Sequence, residues 1–152
     1  MNKNNKQLLQ KALKILKGLH FKEENIMVTG SVALDIQGVL SRTAHDVDFI
    51  IKMDDTVWGC LKLIEAINLA PEEKSVTKKD YPIHSKKNFV ALEIDGVIVN
   101  IWRHSENFDW SPIKDAETGV YVATVNNIIN AKKLYGRDKD YKDIYKIVRN
   151  LM

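Results

Sequence analysis

One stretch limits the possible folds of this chain more than any other, the run "NFVALEIDGVIVNIW" at residues 88–102. Two β-rich segments flank Asp95-Gly96, a dipeptide that favours a two-residue type I′ turn. A turn of that type fixes the register of both strands. The expected pairs are Ile94 with Val97, Glu93 with Ile98 and Ala91 with Asn100. The chain therefore contains at least one antiparallel hairpin.

Helical and strand patterns alternate around this hairpin. Helices are predicted at 6–19, 31–40, from about 57 to 69, 124–136 and 137–152, and strands at 24–30, 45–53 and 120–122. Ser31 is the expected N-cap of the second helix and Gly38 its stop. The stretch 71–87 is expected to be mostly loop or edge structure, and 105–119 is expected to be a loop. These patterns predict one α/β (α+β) domain over 1–152, with a small mixed sheet flanked by helices. Its core spans about 20–110 and its C-terminal helices about 124–151.

Length and composition limit the class of protein and its compartment. The 152 residues suit one domain with a single core, and the one cysteine, Cys60, excludes an intrachain disulfide. The polar start "MNKNNKQLLQ" does not look like a signal peptide, and no long apolar run predicts a membrane span. We expect a cytoplasmic protein with no membrane partner. A net charge of +3 is too small to indicate nucleic-acid binding by itself.

Two carboxylates interrupt an otherwise apolar strand, "HDVDFII". The period of a strand places Asp46 and Asp48 on one face, where like charges repel and lose solvation. A bound divalent cation would remove that cost. Mg²⁺ is the expected ion, with Mn²⁺ as the alternative, because such ions accept carboxylates together with substrate phosphates. The other interpretation is a strand end whose aspartates face solvent.

Gly30-Ser31 joins a strand to a helix fourteen residues or so before the aspartates. Backbone N–H groups at such a junction can bind an anion, and glycine lets a phosphate approach closely. Ser31 can cap the helix, bind a phosphate oxygen, or do both. A phosphate site next to a metal strand is what transfer from a nucleoside triphosphate requires.

The stretch "GSVALDIQG…RTAHDVDFII" resembles the signature of the polymerase-β-like nucleotidyltransferase superfamily. The tail "AKKLYGRDKDYKDIYKI" is similar to that of small bacterial members related to AbiEii-type toxins. The resemblance implies a nucleotidyltransferase fold, Mg²⁺ held by Asp46 and Asp48, and an NTP triphosphate held by Gly30 and Ser31. It also implies an antitoxin partner.

For the tail, the resemblance implies that Lys133 and Arg137 lie near the nucleotide phosphates. Asp140 and Asp143 would orient those bases or take part in acceptor chemistry. The alternative is a solvated helix with local pairs such as Arg137 with Asp140. That alternative is preferred for Lys132, Lys142, Lys146 and Arg149.

The resemblance leaves the third acidic position of the superfamily at Asn100, and an amide is neither a base nor a strong Mg²⁺ ligand. The hairpin register places Glu93 on the same face as Asn100, so Glu93 is the substitute candidate, against a solvent-facing role near the turn. His45 and His104 are two weaker acid–base candidates.

The leading hypothesis is a Mg²⁺-dependent nucleotidyltransferase that moves an NMP from an NTP to a hydroxyl of a small molecule, a tRNA or a protein. The alternative is a catalytically degenerate protein of the same fold that binds nucleotide or regulates a partner. A third option is RNA binding through the basic C-terminal helices.

Overall fold

The computed structural model describes residues 1–67, 88–104 and 110–152. The elements in chain order are α1 (Lys3–Gly18), β1 (Ile26–Thr29), α2 (Gly30–Ile36), β2 (Asp46–Ile51), α3 (Asp55–Ile67), β3 (Phe89–Ile94), β4 (Val97–Arg103), β5 (Ile113–Lys114), β6 (Tyr121–Val122), α4 (Val125–Tyr135) and α5 (Asp138–Leu151). None of these helices combines the length and apolar character needed to cross a bilayer. The predicted loop at 71–87 and the end of the third predicted helix lie outside the described residues.

The strands form one six-stranded sheet in the order β3-β4-β2-β1-β6-β5. The β2–β4 and β1–β6 pairs are parallel, and the other neighbouring pairs are antiparallel. The predicted mixed sheet with flanking helices is therefore confirmed. The loop predicted at 105–119, of which 105–109 lie outside the described residues, is wrong at β5, whose two residues are too few to show an alternating pattern.

The hairpin of β3 and β4 has the predicted register. Ile94 lies opposite Val97, and the other two expected pairs follow from it along the ladder. Asp95 and Gly96 both have positive φ, 51° and 77°. Two consecutive residues of this kind define a type I′ turn, so local turn chemistry set the pairing here.

The alternation along β2 separates its two carboxylates from its most buried side chains. On β2 the side chains of Val47, Phe49 and Ile51 are completely buried, whereas Asp46 and Asp48 lie on the other face. Helix α1 packs against β2 and β4, and α2 packs against β1 and β2. The fully buried side chains of β2 therefore lie on the face opposite its carboxylates.

The junction between β1 and α2 differs from the prediction. Helix α2 already begins at Gly30, and Thr29 is its cap residue without a side-chain hydrogen bond, so the prediction of Ser31 as N-cap is wrong. The backbone turn at Gly30 starts the helix one residue early, which leaves the Ser31 hydroxyl for another partner. The predicted stop is confirmed, because α2 ends at Ile36 and Gly38 has a φ of 69°.

Candidate metal and phosphate site

Asp46, Asp48 and Asn100 meet on one face of two parallel strands. Asp48 on β2 lies directly beside Asn100 on β4. The Asn100 Nδ2 group donates to Asp46 Oδ2 at 2.8 Å and to Asp48 Oδ1 at 3.0 Å. Asn100 is 2% exposed, and its Oδ1 has no hydrogen-bond partner among the described residues. One buried amide thus bridges both carboxylates and keeps an unsatisfied acceptor.

The carboxyl group of Asp48 resists ionisation. Burial, followed by the nearby charge of Asp46, raises the pKa of Asp48 to about 7, and the hydrogen bond from Asn100 only partly opposes this. Because the two carboxylates interact, ionisation of one makes ionisation of the other less favourable. A positive charge placed between them would relieve both causes of the shift.

The donor set fits a hard divalent cation. Within the described ranges, no cluster of three or more His, Cys, Asp or Glu residues is arranged to hold a metal. The oxygens that converge are those of Asp46 and Asp48, with the orphaned Asn100 Oδ1 attached to the amide between them. Mg²⁺ commonly takes one or two carboxylates and fills its other positions with water and phosphate oxygens. The residues present therefore suit a cation such as Mg²⁺, which completes its coordination with water and phosphate. They do not suit a cation that takes all its ligands from the protein.

Gly30 brings the predicted phosphate turn against the predicted metal strand. Its φ is 68°, and a Cβ built at this position would overlap the Asp48 carboxylate. Thr29, the residue before it, lies opposite Asp48 in the antiparallel β1–β2 ladder. The two sequence motifs are thus in direct contact, and only glycine permits the approach.

Arg42 joins Ser31 to the C-terminal helices. Its guanidinium donates to both carboxylate oxygens of Asp143 at 2.9 Å, and its Nε and Nη2 donate to Ser31 Oγ at 3.3 and 3.0 Å. Lys132 Nζ donates to Asp143 Oδ2 at 2.9 Å. Ser31 is therefore joined through Arg42 to a group of two cations and one anion, which has a net positive charge. We refer to Ser31, Arg42, Lys132 and Asp143 as the basic cluster.

Asp143 is ionised in this cluster. Burial alone would favour its neutral form, but the hydrogen bonds from Arg42 and Lys132 outweigh it and hold the pKa of Asp143 below its usual value. The bidentate geometry also fixes the orientation of the Arg42 guanidinium. Asp143 therefore orients Arg42 and Lys132, whereas the resemblance assigned it to Lys133 and Arg137.

The basic side chains of the tail do not all lie where they were expected. Lys132, which was expected to be solvated, has a side chain that is only 14% exposed and pairs with Asp143, so that expectation is wrong. Lys133, which was expected near the phosphates, is exposed. Arg137 pairs with Asp140 at 2.7 Å, which confirms the expected local pair. Successive helix positions point about 100° apart, and sequence alone did not say which lysine faces the site.

A buried polar network supports the loop that carries Arg42. Asn5 on α1 donates through Nδ2 to Asp35 Oδ2 and to the carbonyl of Arg42, both at 2.8 Å, and its Oδ1 accepts from the Ala44 backbone. Asn5 is fully buried. Neither Asn5 nor Arg42 was predicted as a functional residue, because neither belongs to a local pattern. The position of Arg42, four residues before Asp46, was the only available signal.

Glu93 lies on the predicted face of the hairpin. It is opposite Ile98, which in turn lies beside Asp46, so one row of side chains runs from Glu93 to Asp46. Its Oε2 is buried and has no hydrogen-bond partner among the described residues. His45 is exposed, and His104 packs edge-on against Trp110. The catalytic role of Glu93 stays a prediction.

The sequence matches no protein-family profile, and no curated protein matches it significantly. Among solved structures, it is similar to a "putative nucleotidyltransferase" from Thermotoga maritima. That match has a TM-score of 0.51 and 18% sequence identity, and it covers 92% of this chain and 94% of the other. At this identity the likeness establishes the fold. The chain has a nucleotidyltransferase fold, as the sequence predicted.

Proposed function

We propose that this protein is a Mg²⁺-dependent nucleotidyltransferase. The observation that carries the proposal is the contact between Gly30 and Asp48, which joins the predicted phosphate-binding turn to a pair of carboxylates. The neighbouring Asn100 adds a buried oxygen without a partner. The shared fold with a protein described as a nucleotidyltransferase supports the same class of reaction.

Asp46 and Asp48 would hold the cation, which when bound supplies charge neutralisation at the triphosphate and polarises the α-phosphorus. Ser31 and the backbone at Gly30 would position the triphosphate. Arg42 contacts Ser31, and Lys132 joins the same cluster through Asp143; their charges would stabilise the negative charge that develops on the leaving pyrophosphate. In this proposal they replace Lys133 and Arg137 as the phosphate-contacting bases.

The reaction is an in-line displacement. The acceptor hydroxyl oxygen forms a bond to the α-phosphorus while the bond to the bridging oxygen of the β-phosphate breaks, and pyrophosphate leaves. The hydroxyl proton would pass to Glu93, whose buried and unpartnered Oε2 lies in the same row of side chains as Asp46. The nucleotide bound is one of the NTPs, and the acceptor is a small molecule, a tRNA or a protein.

The finer resemblance to AbiEii-type toxins belongs to the same proposal. It would make the protein the toxin of a toxin–antitoxin pair, acting in the cytoplasm on an acceptor that an antitoxin protects. A growth assay that expresses the protein with and without its neighbouring genes tests this part separately from the chemistry.

A second function is favoured by Asn100. An amide occupies the position of the third acid, so the fold would bind an NTP without transferring from it and serve as a regulatory module. This candidate shares the phosphate turn and the basic cluster with the enzyme. It differs from the enzyme only in turnover.

The deciding experiment offers the protein each α-³²P-labelled NTP with Mg²⁺ and with cell RNA, protein or small-molecule extract. The proposed enzyme transfers label to one of these acceptors, and transfer is lost in Asp46→Asn and in Asp48→Asn. Glu93→Gln lowers the rate by about 10²–10⁴-fold without weakening NTP binding, as expected for loss of a general base. NTP binding without transfer to any acceptor would establish the regulatory module instead.

A further inference from the structure

The amide of Asn100 presents its donor side to the two carboxylates and leaves its acceptor unused. Nδ2 contacts Asp46 Oδ2 and Asp48 Oδ1, whereas Oδ1 is buried and has no partner among the described residues. Buried carbonyl oxygens nearly always have a hydrogen-bond partner. This arrangement therefore satisfies the two carboxylates at the expense of the amide oxygen.

The same orientation is unfavourable once a cation binds to the carboxylates. An NH₂ group carries partial positive charge and would face that cation, while an amide oxygen is one of the oxygen donors that divalent cations accept. The two ends of the amide have nearly the same shape. A half-turn about the Cβ–Cγ bond exchanges them, and this torsion has two similar wells, so the backbone of β4 need not move.

We propose that Asn100 acts as a two-position ligand in the cation site, an inference that rests on the proposed function. In the cation-free protein its Nδ2 group bridges Asp46 and Asp48 in place of a positive charge. In the cation-bound protein the amide is reversed, and Oδ1 becomes the third protein oxygen of the site. Asn100 thus replaces the expected acid as a ligand without adding a third negative charge.

The structure supplies a matched control for this change. Asn5 is also buried, and its Nδ2 also donates to a carboxylate, that of Asp35, but its Oδ1 accepts from the Ala44 backbone. Every polar atom of the Asn5 amide therefore has a protein partner. Asn5 has no reason to turn when a cation binds at Asp46 and Asp48.

The direct test is NMR of protein labelled with ¹⁵N and ¹³C at asparagine, titrated with Mg²⁺ alone. The Asn100 side-chain signals are assigned by their loss in Asn100→Asp. We expect the Asn100 NH₂ protons to shift upfield as they leave the carboxylates, and the side-chain carbonyl carbon to shift as its oxygen binds the cation. The Asn5 side-chain signals stay in place. Asn100 signals that do not move while Mg²⁺ binds would overturn the inference.

A second measurement counts bound Mn²⁺ by electron paramagnetic resonance. Asn100→Leu, which lacks the oxygen, weakens Mn²⁺ binding by about tenfold or more, and Asn100→Asp binds at least as tightly as the original protein. Equal affinity in Asn100→Leu would reject the inference and leave the proposed enzyme intact. No Mn²⁺ binding by the unaltered protein would reject both. The NMR result does not depend on whether Asn100→Leu folds.

Discussion

At the scale of a single residue, Gly30 is required for two reasons, its backbone conformation and its contact with Asp48. Substitutions can separate the two. Its φ of 68° disfavours any residue with a Cβ, and its contact with Asp48 leaves no room for one. Gly96 shares the first requirement, with a φ of 77°, but nothing lies within 4 Å of the position that its Cβ would take. The two glycines therefore form a natural pair for substitution.

We expect Gly96→Ala to lower the free energy of unfolding by about 1 kcal/mol, the cost of a left-handed backbone alone. Gly30→Ala costs about 3 kcal/mol or more, because the new methyl group also displaces the Asp48 carboxylate. Urea unfolding measures both. Binding of Mn²⁺ by the folded protein is unchanged in Gly96→Ala and lost in Gly30→Ala. Equal effects of the two substitutions would show that the contact with Asp48 is unimportant.

The raised pKa of Asp48 makes the stability of the cation-free protein depend on pH. Its folded-state pKa of about 7 lies above its ordinary value of 3.8. Stability from this group is therefore fully present below pH 3.8 and is lost as the pH rises toward 7. Asp48→Asn removes the ionisable group, so in EDTA at pH 8 we expect it to be more stable than the unaltered protein by about 2–4 kcal/mol.

Thermal or urea unfolding at pH 5 and pH 8 checks this expectation, and Mg²⁺ provides the control. The advantage of Asp48→Asn shrinks at pH 5, where Asp48 is mostly protonated. At pH 8 added Mg²⁺ stabilises the unaltered protein but not the variant. A variant that is less stable at pH 8 in EDTA would contradict the assigned cause of the shift.

At the scale of the elements, the buried positions of α5 do not follow its apolar residues. Tyr141, Ile144, Val148 and Leu151 share one face in the sequence pattern, yet only Ile144 among them is not exposed. The buried positions of α5 are Asp140, Asp143 and Ile147. The helix is held to the domain by polar contacts around Asp143 together with the apolar packing of Ile147. Its orientation therefore depends on partners that are distant in the sequence.

We expect Asp143→Asn to destabilise the protein by about 2 kcal/mol at pH 7, a value reduced because Arg42 is partly exposed. The lowered pKa of Asp143 means that its contribution is present above pH 3.8 and is lost as the pH falls below that value. The difference between the two proteins therefore shrinks toward pH 3. Urea unfolding across this pH range measures it.

Lys142→Gln is the matched control for this prediction, because Lys142 is exposed and precedes Asp143 on the same helix. It changes stability by less than about 0.5 kcal/mol. A pH-independent loss of stability in Asp143→Asn would indicate a packing effect and would argue against the ion pairs as the cause.

At the scale of the whole molecule, the site brings together parts of the chain that are far apart. Asn100 lies 54 positions from Asp46, and Asp143 lies 101 positions from Arg42. The parallel pairing of β2 with β4 and the packing of α4 on α5 create these contacts. A ligand that binds them together therefore ties several elements to one another and stabilises the folded state as a whole.

We expect a non-hydrolysable NTP with Mg²⁺ to raise the melting temperature more than either component alone. At a ligand concentration 100 times the dissociation constant, the gain is about 2.7 kcal/mol, or roughly 5–10 °C for a domain of this size. In Asp46→Asn we expect nucleotide alone to raise the melting temperature as before, and added Mg²⁺ to give no further rise. Independent effects of Mg²⁺ and nucleotide would place them at separate sites.

The sequence by itself determined the local parts of this protein. The Asp95-Gly96 turn fixed the hairpin register, because both of its residues accept positive φ. The alternation along β2 placed Asp46 and Asp48 on one face, because successive side chains of a strand point to opposite faces of the sheet. Each of these results depends only on residues within one element or its adjoining turn.

The tertiary structure alone decided which side chains meet across elements. It selected Lys132 over Lys133, brought Arg42 to Ser31 and Asp143, and placed the Asn100 amide between the two carboxylates. These contacts depend on strand order and on the rotation of α4 and α5. Those features minimise the free energy of the whole core and its buried ion pairs, so no local stretch of sequence encodes them.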